Sequence, residues 1–296
     1  MNIGIIGAGV VGGATGKVLE RKHKVFYYDR YKTQFSEIEC IAQEAEITFI
    51  CVPTPMKPSG EMDYSAIDHS LHYLQEYYEK THRKPHELIS VIRSTAVSGA
   101  TDSFAAKYPL FRFAFNPEFL REKTAREDME KTDRVVIGAN DPQVSEKIVL
   151  MYREIFPEAN YICVDTKTAE MIKYAANVML ASQVALANEI YGICKAFGVE
   201  YDAVKGALLH DERIGRNIDV PGHDGDFGFG GKCFPKDLRA LIYRAREHYY
   251  EPYLLQEVWR LNEQVRKNKD WFDIPGATTE NMDFGQEHSG NCSVRY

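Results

Sequence analysis

The sequence predicts an α/β protein: a doubly wound parallel sheet in the N-terminal half, then a mostly helical domain with a long central helix. Three observations carry this. Short β-rich runs alternate with amphipathic helical spacing up to about residue 165, the texture then turns alanine-rich and helical, and a glycine pattern joins the first strand to the first helix. The strands read NIGIIG (2–7), KVFYYD (24–29), ITFICV (47–52), LISVIRS (88–94) and RVVIG (134–138). Between them, VVGGATGKVLERK and SAIDHSLHYLQEYYEKT place apolar residues at helical spacing. Such alternation means βαβ units, hence a parallel sheet covered on both faces. ANDPQVSEKIVLMYREIF and NYICV add a helix and a strand near 140–165.

From about residue 166, TAEMIKYAANVMLASQVALANEIYGICKAFG runs without proline to Gly198 and reads as one long buried helix with a glycine stop. DAVKGALLH is a second helical run, followed by a glycine-rich loop at 222–231 and a long helix over about 236–269, interrupted near Pro252. The expected organisation is therefore a dinucleotide-binding domain over 1–165, a helical domain over 166–269 and a loosely held polar tail over 270–296.

The 296 residues suffice for two ordinary domains, with 44% apolar and 27% charged residues. A net charge of −7 argues against nucleic acid as the main partner, whose footprint is a basic face. No apolar run approaches the roughly 20 residues of a membrane span, and MNIGIIGAG has no basic leader region. The cysteines at 40, 51, 163, 194, 233 and 292 form no CxxC pair or zinc-like spacing; Cys51 and Cys163, in apolar runs, read as buried thiols. The expectation is a reduced cytoplasmic protein without a structural metal.

GIIGAGVVG places Gly7, Gly9 and Gly12 in G-x-G-x-x-G spacing after a strand, with Val10 and Val11 opening a helix. The glycines permit a tight turn, close approach of a pyrophosphate and helix–strand packing, which is a Rossmann-like dinucleotide site. Asp29 ends the second strand, where a carboxylate accepts from both ribose hydroxyls and repels a 2′-phosphate. The cofactor expected is NAD, with Arg30 beside that carboxylate.

GFGGKCFPKD (228–237) sets Cys233 just before Pro235, a residue favoured in a first helical turn. A thiol at a helix N-terminus between Lys232 and Lys236 is expected to have a lowered pKa and to act as a nucleophile. Lys173 and Asn177, four apart on the alanine-rich helix, project from one face and suit an oxyanion. Glu118 and Glu122 stand four apart in FNPEFLRE (115–122).

With CVPTP (51–55), RSTAVSGAT (93–101) and AEMIKYAANVML (169–180), these motifs occur in the order seen in the UDP-glucose/GDP-mannose 6-dehydrogenase family. The chain resembles that family from Met1 to about residue 268. The resemblance implies NAD-dependent four-electron oxidation of a nucleotide-sugar C6 alcohol, of the UDP-glucose to UDP-glucuronate type, through a cysteine-bound thiohemiacetal and thioester. It implies Cys233 as nucleophile, Lys173, Asn177 and Asp237 as its catalytic partners, Glu118 as the base for thioester hydrolysis and Thr95 as a holder of the water. Thr54, Thr95 and Glu122 would join the cofactor site, and Phe119, Leu120, Phe229, Gly230 and Arg213 the sugar site, Arg213 by reaching a neighbouring subunit. A homodimer through the central helix at 236–269 is expected.

The family's proline and glycine-threonine after ST are here Ser98 and Gly99-Ala100, and its glycine after the second glutamate is Lys123. Its third, nucleotide-sugar-binding domain has no counterpart here, so the nucleotide half of the substrate is expected to be held weakly, by another chain, or not at all. Two other readings compete. A single-hydride β-hydroxyacid or 6-phosphogluconate type of dehydrogenase shares the Lys-x-x-x-Asn helix but has no use for Cys233. A non-catalytic NAD-binding partner of a full-length enzyme has no chemical reason to keep Cys233, Lys173, Asn177 and Asp237 together.

Overall fold

The computed structural model describes residues 1–215 and 217–281. Seven strands, β1 (Asn2–Ile6), β2 (Lys24–Tyr28), β3 (Ile47–Ile50), β4 (Ile89–Ile92), β5 (Arg112–Phe115), β6 (Arg134–Gly138) and β7 (Asn160–Val164), form one sheet in the order β2-β1-β3-β4-β5-β6-β7. The pairs from β2 to β5 are parallel, as expected, whereas β5 and β6 meet antiparallel through Phe115 and Gly138. ITFI of β3 and ISVI of β4 are buried at every position. Continuous burial is what a central strand covered on both faces requires.

Helices α1 (Val10–Leu19), α2 (Ile38–Glu44), α3 (Ser65–Tyr78), α4 (Ala100–Lys107), α5 (Ala125–Glu130) and α6 (Pro142–Arg153) cover the two faces. One core joins Ile41, Leu71, Leu74, Ile92 and Phe104, and a second joins Val18, Phe49, Val91, Ile148 and Tyr152. Because β1 to β5 run the same way, their carboxyl ends share one edge, and the order turns back between β1 and β3. That switch point is where α/β sheets open a ligand crevice. At the turn after β1, Gly7 has φ +91°, and a Cβ on Gly12 would lie 1.9 Å from the Gly7 carbonyl oxygen. Alanine favours a helix over glycine by about 1 kcal/mol, but overpacking against backbone costs about 1–3 kcal/mol and wins. Gly12→Ala should therefore lower the urea midpoint of the ligand-free protein; an unchanged or higher midpoint would refute the close-packing account.

The helical part begins with α7 (Thr166–Phe197), 32 residues long, capped by Asp165, which accepts from Thr168 N at 2.9 Å, and closed by left-handed Gly198. α8 (Tyr201–Leu208), α9 (Phe234–Glu247) and α10 (Tyr253–Val265) follow. The helix expected over 236–269 with an interruption near Pro252 is two helices: α9 ends at Glu247, Tyr249 turns to φ 60°, and Pro252 stands at the start of α10. The two helices fold onto α7, burying Leu238, Ile242 and Val258 against Val178, Ala181 and Ala185. Tyr253 and Leu254, at the start of α10, stay exposed.

Two further expectations are corrected. Cys163 lies on edge strand β7 and is exposed rather than buried. The first part of the expected loose tail is docked: Trp271 and Ala277 are each 1% exposed, and Met56 N donates to the Ala277 carbonyl at 3.0 Å. The remainder of that tail from residue 282, with Cys292, lies outside the described residues. Among the described residues no helix is long and apolar enough to cross a membrane, and no group of His, Cys, Asp or Glu is placed to hold a metal ion.

Candidate active site

The dinucleotide end of the crevice is built by the turn between β1 and α1. A Cβ on Gly9 would meet nothing within 4 Å, so the backbone there faces open space, beside the first turn of α1 with exposed Val10 and half-buried Val11. Free N–H groups of a helix start and the helix dipole both favour a phosphate at such a place. Asp29 closes the far side: Oδ2 accepts from Ala8 N at 2.8 Å and Oδ1 from Tyr31 N at 3.0 Å. A carboxylate has about four acceptor positions, so both oxygens retain capacity for ribose hydroxyls. Arg30 is exposed, and Lys32 donates to the Ala8 carbonyl at 2.6 Å. These residues fit NAD: a glycine cradle, a free helix start and an acceptor at the end of β2.

The loops after β3 and β4 carry buried Thr54 and half-buried Thr95, and Ser94 Oγ ties them by donating to the Val52 carbonyl at 2.6 Å. The loop after β5 carries Glu118. Its Oε1 and its backbone carbonyl both accept from Lys173 Nζ, at 2.9 and 2.6 Å, while Oε2 accepts from Leu120 N at 2.6 Å. Phe119 lies between two cations, with the Arg134 guanidinium 4.1 Å and Lys173 Nζ 5.5 Å from its ring centre. Glu122 stands in a short 3-10 turn after that loop, and its side chain lies outside the described set.

One turn along α7 from Lys173, Asn177 Nδ2 donates to Asp237 Oδ2 at 2.5 Å, and Lys236 Nζ donates to Asp237 Oδ1 at 2.5 Å. Asp237 is 1% exposed. Cys233 sits immediately before α9, as the proline in its first turn led one to expect, and it is accessible to solvent. Two buried lysine–carboxylate pairs therefore flank one accessible thiol. The sequence alone pairs Lys173 with Asn177 as oxyanion donors; in the structure each serves a different carboxylate.

The electrostatics correct one expectation. Crowding by protein raises the Cys233 thiol above its ordinary value, the Asp237 charge adds to that, and Lys236 and Lys173 pull down without prevailing. Lys236 and Lys173 are paired with their own carboxylates, Asp237 and Glu118, which limits their effect on the thiol. Burial pushes Glu118 up, but Lys173, the Leu120 amide and Arg93 overcome it and hold the carboxyl below its ordinary value. Burial pushes Lys173 down, and Glu118, Asp237 and Cys233 together raise it. Iodoacetamide labelling of Cys233, followed by peptide mass spectrometry, should still accelerate with pH beyond the ordinary thiol range. Asp237→Asn should shift that profile to lower pH, and a wild-type plateau near neutrality would show the thiolate already formed.

The glycine-rich loop is held by residues that its motif does not reveal. Asn262 accepts from Phe229 N at 2.7 Å and donates to the Phe229 carbonyl at 3.0 Å; Asn188 accepts from Gly228 N at 3.0 Å. A Cβ on Gly230 would lie 2.1 Å from an Arg266 nitrogen. Phe229, expected at the sugar, instead puts its ring into the helical core and both backbone groups on Asn262. Arg213 is exposed and paired with Asp211, two residues away.

Arg93 is the other residue that sequence reasoning passed over. It is buried, donates from Nε to Thr15 Oγ1 at 3.0 Å and from Nη1 to Asn116 Oδ1, and so ties α1 to the Glu118 loop. Its place directly before the Ser-Thr pair offered a signal, since a buried arginine needs several acceptors.

Residues 27–156 match the NAD binding domain of the UDP-glucose/GDP-mannose dehydrogenase family, and residues 167–264 match the central domain of that family. The UDP-glucose 6-dehydrogenase of Rickettsia felis is 34% identical over 231 residues, covering 76% of this chain and 49% of its own. The GDP-mannose 6-dehydrogenase of Pseudomonas aeruginosa is 36% identical over 242 residues, covering 77% of this chain and 53% of its own. The solved structure of a UDP-glucose dehydrogenase from Pyrobaculum islandicum superposes with a TM-score of 0.77 at 29% identity, covering 89% of this chain and 68% of that one. The chain spans about half the length of the curated relatives it matches.

Proposed function

The chain belongs to the UDP-glucose/GDP-mannose dehydrogenase family, and from that premise we propose that it oxidises the C6 alcohol of a nucleotide sugar to the carboxylate, through a Cys233 thioester. The observation that carries the reading is the accessible Cys233 thiol at the start of α9, charge-coupled to Lys173–Glu118 and Lys236–Asp237. NAD, when bound, supplies the hydride acceptor, one equivalent for each two-electron step.

A water held by Asp237 takes the C6 hydroxyl proton and passes it to solvent as the alcohol becomes an aldehyde. The Cys233 sulfur then adds to the aldehyde carbon. The thiol proton leaves toward Asp237, whose charge contributes more than any other neighbour's to holding it in place, and the carbonyl π pair becomes the thiohemiacetal oxygen. Lys173 and Asn177 steady that oxygen as it gains charge. Loss of a second hydride leaves the thioester. Glu118, assisted by Thr95, takes a proton from water as it attacks the thioester carbon, and the carbon–sulfur bond breaks to return Cys233. The atoms balance to one carboxylate and two reduced nicotinamides per sugar.

The test is stoichiometry with UDP-glucose and with GDP-mannose. Two NADH and one uronic acid per sugar support the four-electron route. One NADH with an aldehyde or ketone product points to the single-hydride alternative, which leaves Cys233 without a role, and none from either sugar removes the proposed activity.

We propose further that the protein is a homodimer, with α7 in the contact. Met179, Leu186 and Ile193, seven residues apart, and Phe197 are 69%, 61%, 48% and 79% exposed. Apolar positions at that spacing make a helix seam. Leu186→Glu with Phe197→Glu should convert a dimer to a monomer in sedimentation; a wild-type monomer at micromolar concentration would end this proposal.

A further inference from the structure

We infer that Glu170 is a positioning residue, which caps α4 from α7 and thereby sets the loop carrying Thr95 in register with Lys173 and Asn177. The inference builds on the proposed activity only for its kinetic consequence.

Gly99 is the residue at the N-terminus of α4, with φ +94° and no side chain to cap the helix. The missing acceptor comes from another part of the fold. Glu170 Oε2 accepts from Gly99 N at 2.6 Å, and Oε1 accepts from Thr101 N at 2.8 Å and from Thr101 Oγ1 at 2.6 Å. The residue is 0% exposed. A serine or aspartate at position 99 would cap α4 locally without burying a carboxylate. The arrangement found is costlier, and what it adds is a link between two segments 70 residues apart.

Those segments are the ones that carry chemistry. Glu170 is one turn before Lys173 and two before Asn177, so all three share a face of α7. Thr95 lies four residues before Gly99, and the stretch between is tied elsewhere: Val97 N donates to Tyr64 Oη at 2.8 Å, and Arg244 reaches the Ser98 carbonyl at 3.4 Å. Asp102, Lys167, Tyr64, Tyr174 and Arg244 are the other charged or titratable groups around this junction. With α4 capped from α7, a shift of either segment moves the water-holding threonine relative to the lysine and asparagine. Displacements of about 1 Å at such positions cost on the order of 10²-fold in rate.

The test uses Glu170→Gln and Glu170→Ala in the full chain. Amide hydrogen exchange over 95–101 should accelerate at least about tenfold in both, with β1 to β4 and α9 unchanged, and Ala should exceed Gln, which keeps one acceptor. Turnover per folded molecule should fall about 10- to 100-fold in Ala and less in Gln. Retained protection over 95–101 would overturn the cap. Faster exchange with unchanged turnover would overturn positioning and leave a purely structural link. If the wild type itself turned over no sugar, the proposed activity would fail, and the cap would still be decided by exchange.

Discussion

Cys233→Ser is expected to abolish uronic acid formation, with a loss on the order of 10³-fold or more, the scale seen when a covalent nucleophile is removed. A serine hydroxyl has neither the polarisable sulfur nor an accessible anion, and a carboxylate that can take a thiol proton is too weak a base to activate it. The first hydride step needs none of the thiol. A single-turnover experiment with the variant should therefore still release up to one NADH per site and leave the sugar at the aldehyde level. Cofactor affinity should not change, because Gly7, Gly9, Gly12 and Asp29 belong to a separate part of the crevice. Acid formation within about tenfold of wild type would exclude the thioester route. The serine variant is nearly isosteric, so a fold defect is not an expected complication; matched thermal midpoints check this.

Much of this site could be read from the chain because its motifs are local. G-x-G-x-x-G needs only neighbouring residues to define its turn, and Cys233 before Pro235 marks a helix start within three positions. What escaped is what depends on partners distant in sequence. Lys173 and Asn177 look like one unit at i, i+4, yet the carboxylates that claim them come from residues 118 and 237. The thiol was expected to be acidic because two lysines flank it in sequence. In three dimensions, crowding and Asp237 outweigh Lys236 and Lys173. Strand β5 was missed because RFAF is four residues long and merges with the NPEF loop, too short for period-2 alternation to show. Pro252 marks the interruption of the helix expected over 236–269, and only packing shows that both halves bury residues on α7.

The second large effect concerns Lys173 and is readable without any substrate. Lys173→Met should destabilise the protein by about 3–5 kcal/mol at pH 7, since it strands a buried carboxylate. The side chains of Lys173 and Glu118 are 5% and 10% exposed, so water cannot take the place of the lost ammonium. In the wild type Glu118 is held below its ordinary pKa, so this pair's contribution is present at neutral pH and is lost as pH falls through the lowered value. In the variant the largest charge opposing burial is gone, and only the Leu120 amide and Arg93 still favour the carboxylate. Glu118 then titrates higher than in the wild type, so as pH falls the folded variant gains a proton before the folded wild type does. The gap between wild type and variant should therefore narrow as pH falls from 7 to 5. Glu118→Gln with Lys173→Met should recover most of the loss at pH 7, because an uncharged amide carries far less desolvation cost. Urea unfolding of the wild type, Lys173→Met, Glu118→Gln and the double variant at the two pH values gives the coupling directly. A loss that neither narrows toward pH 5 nor is relieved by Glu118→Gln would mean that Lys173 stabilises through the packing of its stem, and the charge pairing would no longer explain why this helix carries a lysine at that position.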